Sequence, residues 1–283
     1  MKTRAAIFRE VGTPLSVETI RLDAPQPSEL LVKIAAVGLC RTDLHVMRGE
    51  RRVAMAPMVL GHEVAGVVEA IGADVKGIAL GDHVVLTFIP GCGRCRWCRQ
   101  GLHHLCAEGP RITQGPQLDG SYRRHDRDGK DVGAFCMIGG FAERTVVDQA
   151  SVLVIDKDIP LDLASLVACG VPAGVGAARN RAKVKPGDIV LVVGVGGDGM
   201  NVVQGARLCG ATTIIAADIV PAKQFCAEFL FRAVRLADDK TCAVRAKRKI
   251  VSKISRGIAV QAIENNLFIS NQGQLPDIFI VKI

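Results

Sequence analysis

Apolar and polar residues alternate at short range through the first half of the chain. Residues 30–37, 63–71, 83–88 and 151–155 are strand-like runs separated by Gly, Pro and Asp. Short strands at this spacing predict a compact β-barrel or sandwich rather than parallel βαβ units. Between residues 91 and 140 the apolar periodicity fades, and Gly, Arg and Asp dominate. A segment without an apolar core of its own needs another source of order, and a bound metal supplies one.

The pattern changes at Lys185. KPGD reads as a turn, and IVLVV at 189–193 is a continuous apolar run of the kind that fills a buried parallel strand. The stretch GVGGDG follows, then helical spacing over 200–208 closed by Cys209-Gly210, then a second apolar run over 212–217 that ends on Asp218. This is one strand–helix–strand unit of a doubly wound sheet. A further helix is expected from near Pro221, with the proline in its first turn, to Leu230. Beyond Lys240 the pattern decays, with no second set of such units and no internal repeat.

A chain of 283 residues with 49% apolar content has the length for about two domains and ample material for packed cores. No apolar run approaches the roughly 20 residues that cross a bilayer. The opening MKTRAAIFREVG lacks the apolar region of a secretion signal. The expectation is a soluble, cytoplasmic protein with no membrane partner. The net charge of +8 is unevenly placed: residues 223–283 hold 11 basic and 5 acidic residues, the first 222 hold 25 and 23. The basic character belongs to the tail, and RAKRK at 245–249 has no aromatic platform beside it, so no nucleic-acid partner is expected.

Ten cysteines in such a chain, some at CxxC spacing, point to metal rather than disulfides. Cys92, Cys95, Cys98 and Cys106 stand together in GCGRCRWCRQGLHHLC. Four thiolates close a tetrahedral zinc completely, a structural site. Arg94, Arg96 and Arg99 would offset their excess charge. His103 and His104 are rival ligands, set aside because the shell is already full. A redox-active or disulfide-linked loop is the alternative. A second, dispersed set begins with Cys40 in CRTDLH and His62 in GHE. Spacing alone leaves open a buried thiol and a core histidine. The neighbours strengthen a metal: Asp43 and Glu63 suit the orienting of ligands, and Thr42 and His45 offer a hydroxyl and an imidazole as a proton path. The third ligand must come from elsewhere, and Cys169 in ACGVPAG is the best candidate. Cys136, Cys209, Cys226 and Cys242 default to core or surface thiols, and His83 to a structural role.

The loop Gly194-x-Gly196-x-x-Gly199, with Gly197 inside it, sits between a buried strand and a helix. Glycines there let the backbone approach a pyrophosphate, and Asp218 would accept hydrogen bonds from the adenosine ribose. An acid at that point disfavours a 2′-phosphate, so NAD is expected over NADP. A tight turn with no ligand is the alternative.

Together these motifs resemble the zinc-dependent alcohol dehydrogenases of the medium-chain dehydrogenase/reductase superfamily. CRTDLH at 40–45 is similar to their first-ligand segment; GHE at 61–63 with Gly66, Gly72 and Val75 is similar to their zinc signature; the four-cysteine spacing matches. FIPGCGRC and DGSYRRHDRDG look closest to the bacterial nicotinoprotein-like members. The resemblance covers about residues 1–225. It implies a GroES-like β-barrel catalytic domain over 1–168, an incomplete Rossmann NAD-binding domain over 169–240, and a basic tail unlike the family over 241–283. It implies hydride transfer between an alcohol or aldehyde substrate and NAD(H), with two zinc ions per chain. Cys40, His62 and Cys169 would bind the catalytic zinc with Glu63 close behind. Arg41 would sit at the cofactor pyrophosphate, Thr42 and His45 in the proton relay, and Lys223 beside Asp218 at the ribose. Family members often pair into homo-oligomers through the far Rossmann edge, but that edge is not legible in this sequence, so oligomeric state stays open. Two departures stand out. Asp198 replaces the usual apolar residue in the glycine loop, where repulsion of a phosphate at 4 Å and an effective ε of 20 is on the order of 4 kcal/mol before screening. Family members also run well past 283 residues. A truncated, non-catalytic zinc-binding member with impaired NAD binding is therefore the alternative function.

Overall fold

Alternation becomes strands throughout the first part of the chain. In β1 (Lys2–Phe8), Thr3, Ala5 and Ile7 point inward while Lys2 and Arg4 face solvent. The succeeding elements are β2 (Ser16–Leu22), β3 (Glu29–Gly38), α1 (Arg41–Met47), β4 (Met58–Val59), β5 (Glu63–Ile71), β6 (His83–Leu86), β7 (Arg124–His125), β8 (Gly133–Ala134), β9 (Arg144–Asp148), β10 (Val152–Ile155) and α2 (Leu161–Leu166). In this computed structural model the structure describes residues 1–218, 220, 222–223 and the strand backbones at 234–235, 267–269 and 279–282. Cys226, Cys242, RAKRK and most of the helix expected after Pro221 lie outside the described residues.

The chain divides into two compact units, Met1–Cys169 and Gly170–Ile283. The first holds two five-stranded sheets, ordered β7-β2-β1-β4-β8 and β10-β6-β5-β3-β9. Its main core draws on both: Phe8 and Met58 from one sheet pack with Leu30, Val32, Val64, Val68, Val84, Leu86 and Val147 from the other. Each such side chain contributes about 1.5–3 kcal/mol of transfer free energy when fully buried. The four runs expected as strands are β3, β5, β6 and β10. β1 and β2 were not anticipated, because their inward positions include Thr3 and the charged residues of SVETIRL mask the apolar period. From 91 to 114 the described backbone has only short 3₁₀ turns, at Cys98–Gln100, His103–Leu105 and Gly109–Thr113. That agrees with a segment lacking an apolar core.

The register of β3 on β5 delivers the site. Irregularities lie between Leu31 and Val32 and between Ile34 and Ala36, and beyond the second the pairs are Ala36↔Ala65, Val37↔Val64 and Gly38↔Glu63. Pairing Gly38 with Glu63 brings the end of one strand, just before Cys40, to the start of the other, just after His62. α2 leads to the third contributor. Ala164 and Ala168 are buried against Ala65 and Val85, and Cys169 follows. On β5, Glu63 and Ala65 share a face because side chains alternate, so the turn that buries Ala168 on Ala65 sets Cys169 beside Glu63.

The second unit contains α3 (Gly170–Gly176), β11 (Ile189–Val193), α4 (Gly197–Leu208), β12 (Thr213–Ala217), β13 (Val234–Arg235), β14 (Leu267–Ile269) and β15 (Phe279–Lys282). β11, β12 and β13 run parallel. β15 lies antiparallel on the other side of β11, with β14 beyond it. The sheet is thus mixed, an outcome the fading pattern after Lys240 did not suggest. Val190 and Val192, Val202, Val203 and Ala206, and Ile214 and Ala216 fill the core between sheet and α4. α4 begins three residues before its apolar spacing does, since extended Gly196 caps it and the Met200 N–H closes the first turn on the Gly196 carbonyl at 2.9 Å. Among the described residues no helix is long and apolar enough to cross a membrane.

Candidate metal centres and cofactor loop

The lobe centre is built from one short stretch. One ligand atom each from Cys92, Cys95, Cys98 and Cys106 lies within 4.8 Å of the others. The Cys92 and Cys98 sulfurs are 4.0 Å apart. A tetrahedron with Zn–S bonds of about 2.3 Å has edges of about 3.8 Å, so the donor set and spacing fit zinc. Backbone N–H groups already point at the sulfurs: Cys92 N donates to Cys106 Sγ and Cys98 N to Cys95 Sγ, both at 3.5 Å. The N–H groups of Ala107 and Cys98 pull the Cys95 thiol down to about 6. Burial, then the neighbouring sulfurs, push Cys98 up to about 12. Four thiolates cannot share this space without a cation. No disulfide joins any of the eight described cysteines. Neither His103 nor His104 joins the cluster; the His103 ring packs over Gly91. Arg94, Arg96 and Arg99 are exposed, and Arg96 stacks on Trp97 at 4.3 Å.

The dispersed centre comes together as well. Ligand atoms of Cys40, His62, Glu63 and Cys169 all lie within 4.8 Å of one another. His62 is 2% exposed and walled edge-on by Phe135 and Phe88, with ring centroids at 5.7 and 6.0 Å. Its Nδ1 lies 3.4 Å from the Asp43 carboxylate, which leaves Nε2 to serve as ligand. Asp43 also accepts from the Gly61 N–H at 2.9 Å. Thr42 N–H donates to Cys40 Sγ, and Thr42 Oγ1 lies 3.5 Å from that sulfur. A Cβ on Gly38 would fall 2.1 Å from Glu63 Oε2, so only glycine there leaves the carboxylate its place. Gly38→Ala is expected to displace the flexible Glu63 side chain while changing stability little; a crystal structure of the variant, with its metal affinity, checks this.

The electrostatics of this cluster call for positive charge. Cys169, with help from His62 and Thr42, pulls the Cys40 thiol down to about 3 against the upward push of burial. Burial pulls His62 down, but the Asp43 carboxylate and the Cys40 thiolate outweigh it and hold the imidazole at about 10. Burial, then the Cys40 charge, push Glu63 up to about 7. At neutral pH a His62 proton therefore stands where a dication would, and the set of two sulfurs, one imidazole and one carboxylate fits zinc. A ligand must lose its proton to bind metal. Cys40 is already ionised above pH 3, whereas His62 has to release its proton. Zinc affinity is expected to rise with pH up to about 10, with at least about one proton released per ion near pH 7. Calorimetry in buffers of different ionisation enthalpy measures that number.

His45 stands one turn after Thr42 on α1, and its Nδ1 meets the carboxylate of Glu50. Glu50 had no sequence signal. Neither did Phe88 and Phe135, which reach His62 from distant parts of the chain. Arg41 is exposed at the start of α1.

The glycine loop lies in the second unit. Gly194 has φ +93°, a conformation that favours glycine, and its N–H donates to the Ala217 carbonyl at 2.7 Å. Among the described residues, a Cβ on Gly196 or Gly197 would meet no atom within 4 Å. Their lack of side chains is not demanded by packing, which suits a loop that leaves room for a ligand. Gly199 is buried in α4, and Asp198 lies in its first turn. Asp218 is buried at the end of β12, where its carboxylate accepts from Val195 N–H and Val220 N–H at 2.9 Å. Lys223 is exposed, its N–H bonded to the Val220 carbonyl.

A two-sheet β unit carrying two cysteine-rich clusters, with a glycine-loop α/β unit after it, defines a class of metal-dependent dehydrogenases. Residues 26–157 match the alcohol dehydrogenase GroES-like domain. The chain is 46% identical over 224 residues to the NDMA-dependent alcohol dehydrogenase of Amycolatopsis methanolica, covering 79% of this chain and 60% of that one. It is 38% identical over 264 residues to alcohol dehydrogenase B of Mycobacterium tuberculosis, covering 93% and 69%. The crystal structure of an alcohol dehydrogenase zinc-binding domain protein from Burkholderia ambifaria superposes with a TM-score of 0.81 at 38% identity, covering 88% and 68%. The chain belongs to the zinc-dependent alcohol dehydrogenases of the medium-chain dehydrogenase/reductase superfamily. It spans 60% of the length of its first curated relatives.

Proposed function

We propose that this chain is a zinc-dependent oxidoreductase transferring a hydride between an alcohol or aldehyde and NAD(H). The observation that carries this reading is the convergence of Cys40, His62, Glu63 and Cys169 apart from a complete four-cysteine lobe. Cys92, Cys95, Cys98 and Cys106 would hold a structural zinc, closed to substrate. Cys40, His62 and Cys169 would hold a second zinc with Glu63 close by, leaving a position for the substrate oxygen. Zinc there supplies Lewis-acid chemistry, lowering the pKa of an oxygen placed against it. The nicotinamide supplies the two-electron redox chemistry.

The chain's own residues do the rest. Asp43 holds the His62 ring through Nδ1 and keeps Nε2 turned to the metal. The Thr42 hydroxyl, beside Cys40, takes the first step of proton removal. His45 carries its proton on Nδ1 toward Glu50, so Nε2 is the nitrogen able to accept another. Gly194, Gly196, Gly197 and Gly199 let the loop backbone approach a pyrophosphate, with Arg41 a further cation for it. Asp218 accepts from the ribose hydroxyls, since a carboxylate oxygen takes more than one hydrogen bond, and Lys223 steadies that contact. The buried acid favours NAD over NADP.

Three measurements on the purified chain test this together: zinc count by mass spectrometry, NAD binding by calorimetry, and NAD reduction with a panel of primary alcohols with and without chelator. Two zincs, NAD binding and chelator-sensitive turnover support the reading. Turnover that survives complete zinc removal would sink the metal's role. Two zincs without NAD binding would favour a non-catalytic zinc-binding protein.

A further inference from the structure

Arg124 is 1% exposed, and its surroundings are unusual for a guanidinium. Among the described residues no carboxylate pairs with it, and its Nε has no hydrogen-bond partner. Its Nη2 donates to the Ile138 carbonyl at 2.6 Å and to Thr145 Oγ1. Burial pulls it down to about 10 although the Glu29 charge raises it, with Arg123 a smaller downward push, so it is still cationic at neutral pH. A buried cation without a close ion pair is costly; its Nη2 ties β9, at Thr145 Oγ1 and the Val146 carbonyl, to one short piece of backbone that ends in the Ile138 carbonyl.

That piece is strained. Cys136 and Met137 have φ of +56° and +58°, followed by Gly139 at +60°. Consecutive non-glycine residues in the left-handed region are rare and persist only where neighbours hold them. The neighbours are visible. Gln117 Nε2 donates to the Met137 carbonyl at 3.1 Å, and both Arg124 and Thr145 donate to the Ile138 carbonyl. Gly139 lies against the guanidinium so closely that a Cβ would come within 3.1 Å of Nε.

Both ends of this segment reach His62. Before it, Phe135 places its ring edge-on to the imidazole. After it, Gly140 N–H donates to the Gly61 carbonyl and Phe141 N–H to the Leu60 carbonyl, both at 2.8 Å. We infer that Arg124 is a positioning residue for the Cys40–His62–Cys169 centre: by gripping the Ile138 carbonyl it fixes the left-handed segment that sets both the Phe135 wall of His62 and the backbone just before it. Gln117 and Thr145 complete the clamp. The inference rests on the zinc reading of that centre.

The test uses the full chain as wild type, Arg124→Met, Arg124→Lys, Gln117→Ala and, as a stability control, Val68→Ala, which thins the core far along β5. Two readouts are taken: zinc affinity of each centre by chelator competition, with the four-cysteine lobe as internal reference, and the ligand-field absorption of the cobalt-loaded protein. Arg124→Met is expected to weaken zinc at the Cys40 centre at least about tenfold and to shift the cobalt bands, as loss of support behind metal ligands does. Arg124→Lys, which keeps a cationic donor group without the planar fork, should fall between it and wild type. The lobe should be unmoved in every variant. Val68→Ala should lower Tm without altering either readout. Arg124 variants that lose Tm but keep wild-type affinity and bands would overturn the inference and make Arg124 a packing residue only. Should Arg124→Met not fold, Arg124→Lys and Gln117→Ala decide it by the same readouts. A wild-type chain that binds zinc only in the lobe would instead fail the zinc reading itself, and the inference with it.

Discussion

Under the proposed function, Cys169→Ser is expected to remove one of the two zinc ions, leave the other in place, and cut alcohol-dependent NAD reduction by on the order of 10³ or more. A metal acting as a Lewis acid contributes several kcal/mol of charge stabilisation in the transition state, and each 1.4 kcal/mol is a factor of ten. Serine offers a far poorer ligand than thiolate, and Cys40, His62 and the Glu63 carboxylate left behind form a weaker donor set. The rest of the fold should be spared. Cys169 lies at the end of the first unit, and the residues packing its turn, Ala164 and Ala168, are untouched. Metal analysis, circular dichroism and steady-state rates separate these effects. Full turnover with a single lobe zinc would refute the assignment of Cys169.

The second large effect is expected from Cys98→Ser. Cys98 is among the more enclosed sulfurs of the lobe, 6% exposed, and the regular structure from 91 to 114 is confined to 3₁₀ turns. In small zinc peptides the metal contributes on the order of 10 kcal/mol of apparent binding free energy, which becomes folding free energy. Within a larger folded unit a smaller share is at stake, about 3–5 kcal/mol. At roughly 2–4 °C of Tm per kcal/mol for this size, the melting point should fall by about 6–20 °C. Trp97 is the only tryptophan and lies in the lobe, so its fluorescence reports the local change directly. Its emission should shift to the red, and proteolysis should open within 91–115. Wild-type emission and protease resistance in the variant would show that the lobe orders itself without metal.

The family and both halves of the fold were legible because their signals are local. β5 and β11 appear where their apolar runs stand, at Glu63–Ile71 and Ile189–Val193. α4 appears after the glycine loop, extended at its start by a cap that has no apolar signature. β1 and β2 escaped notice because charged residues occupy their solvent faces and threonine one inward position. The antiparallel place of β15 beside β11 was not legible either, since nothing in a strand's sequence names its neighbour. Around His62, the carboxylate of Asp43 could be read from proximity in the chain, but Phe88, Phe135 and the Arg124 clamp could not.

By itself, the sequence determined whatever the reach of a few residues allows. Four cysteines within 15 positions can meet around one ion with little help from the rest of the molecule, and a glycine turn between a buried strand and a helix carries its own geometry. Only the tertiary structure decided whether Cys40, His62 and Cys169 share a centre. They are separated by 22 and then 107 residues, far beyond local reach. Their meeting depends on the shifted register that pairs Gly38 with Glu63 and on the burial of Ala168 against Ala65. Strand register and face-to-face packing are collective properties of the whole core, so no spacing between these three residues could have announced that they meet.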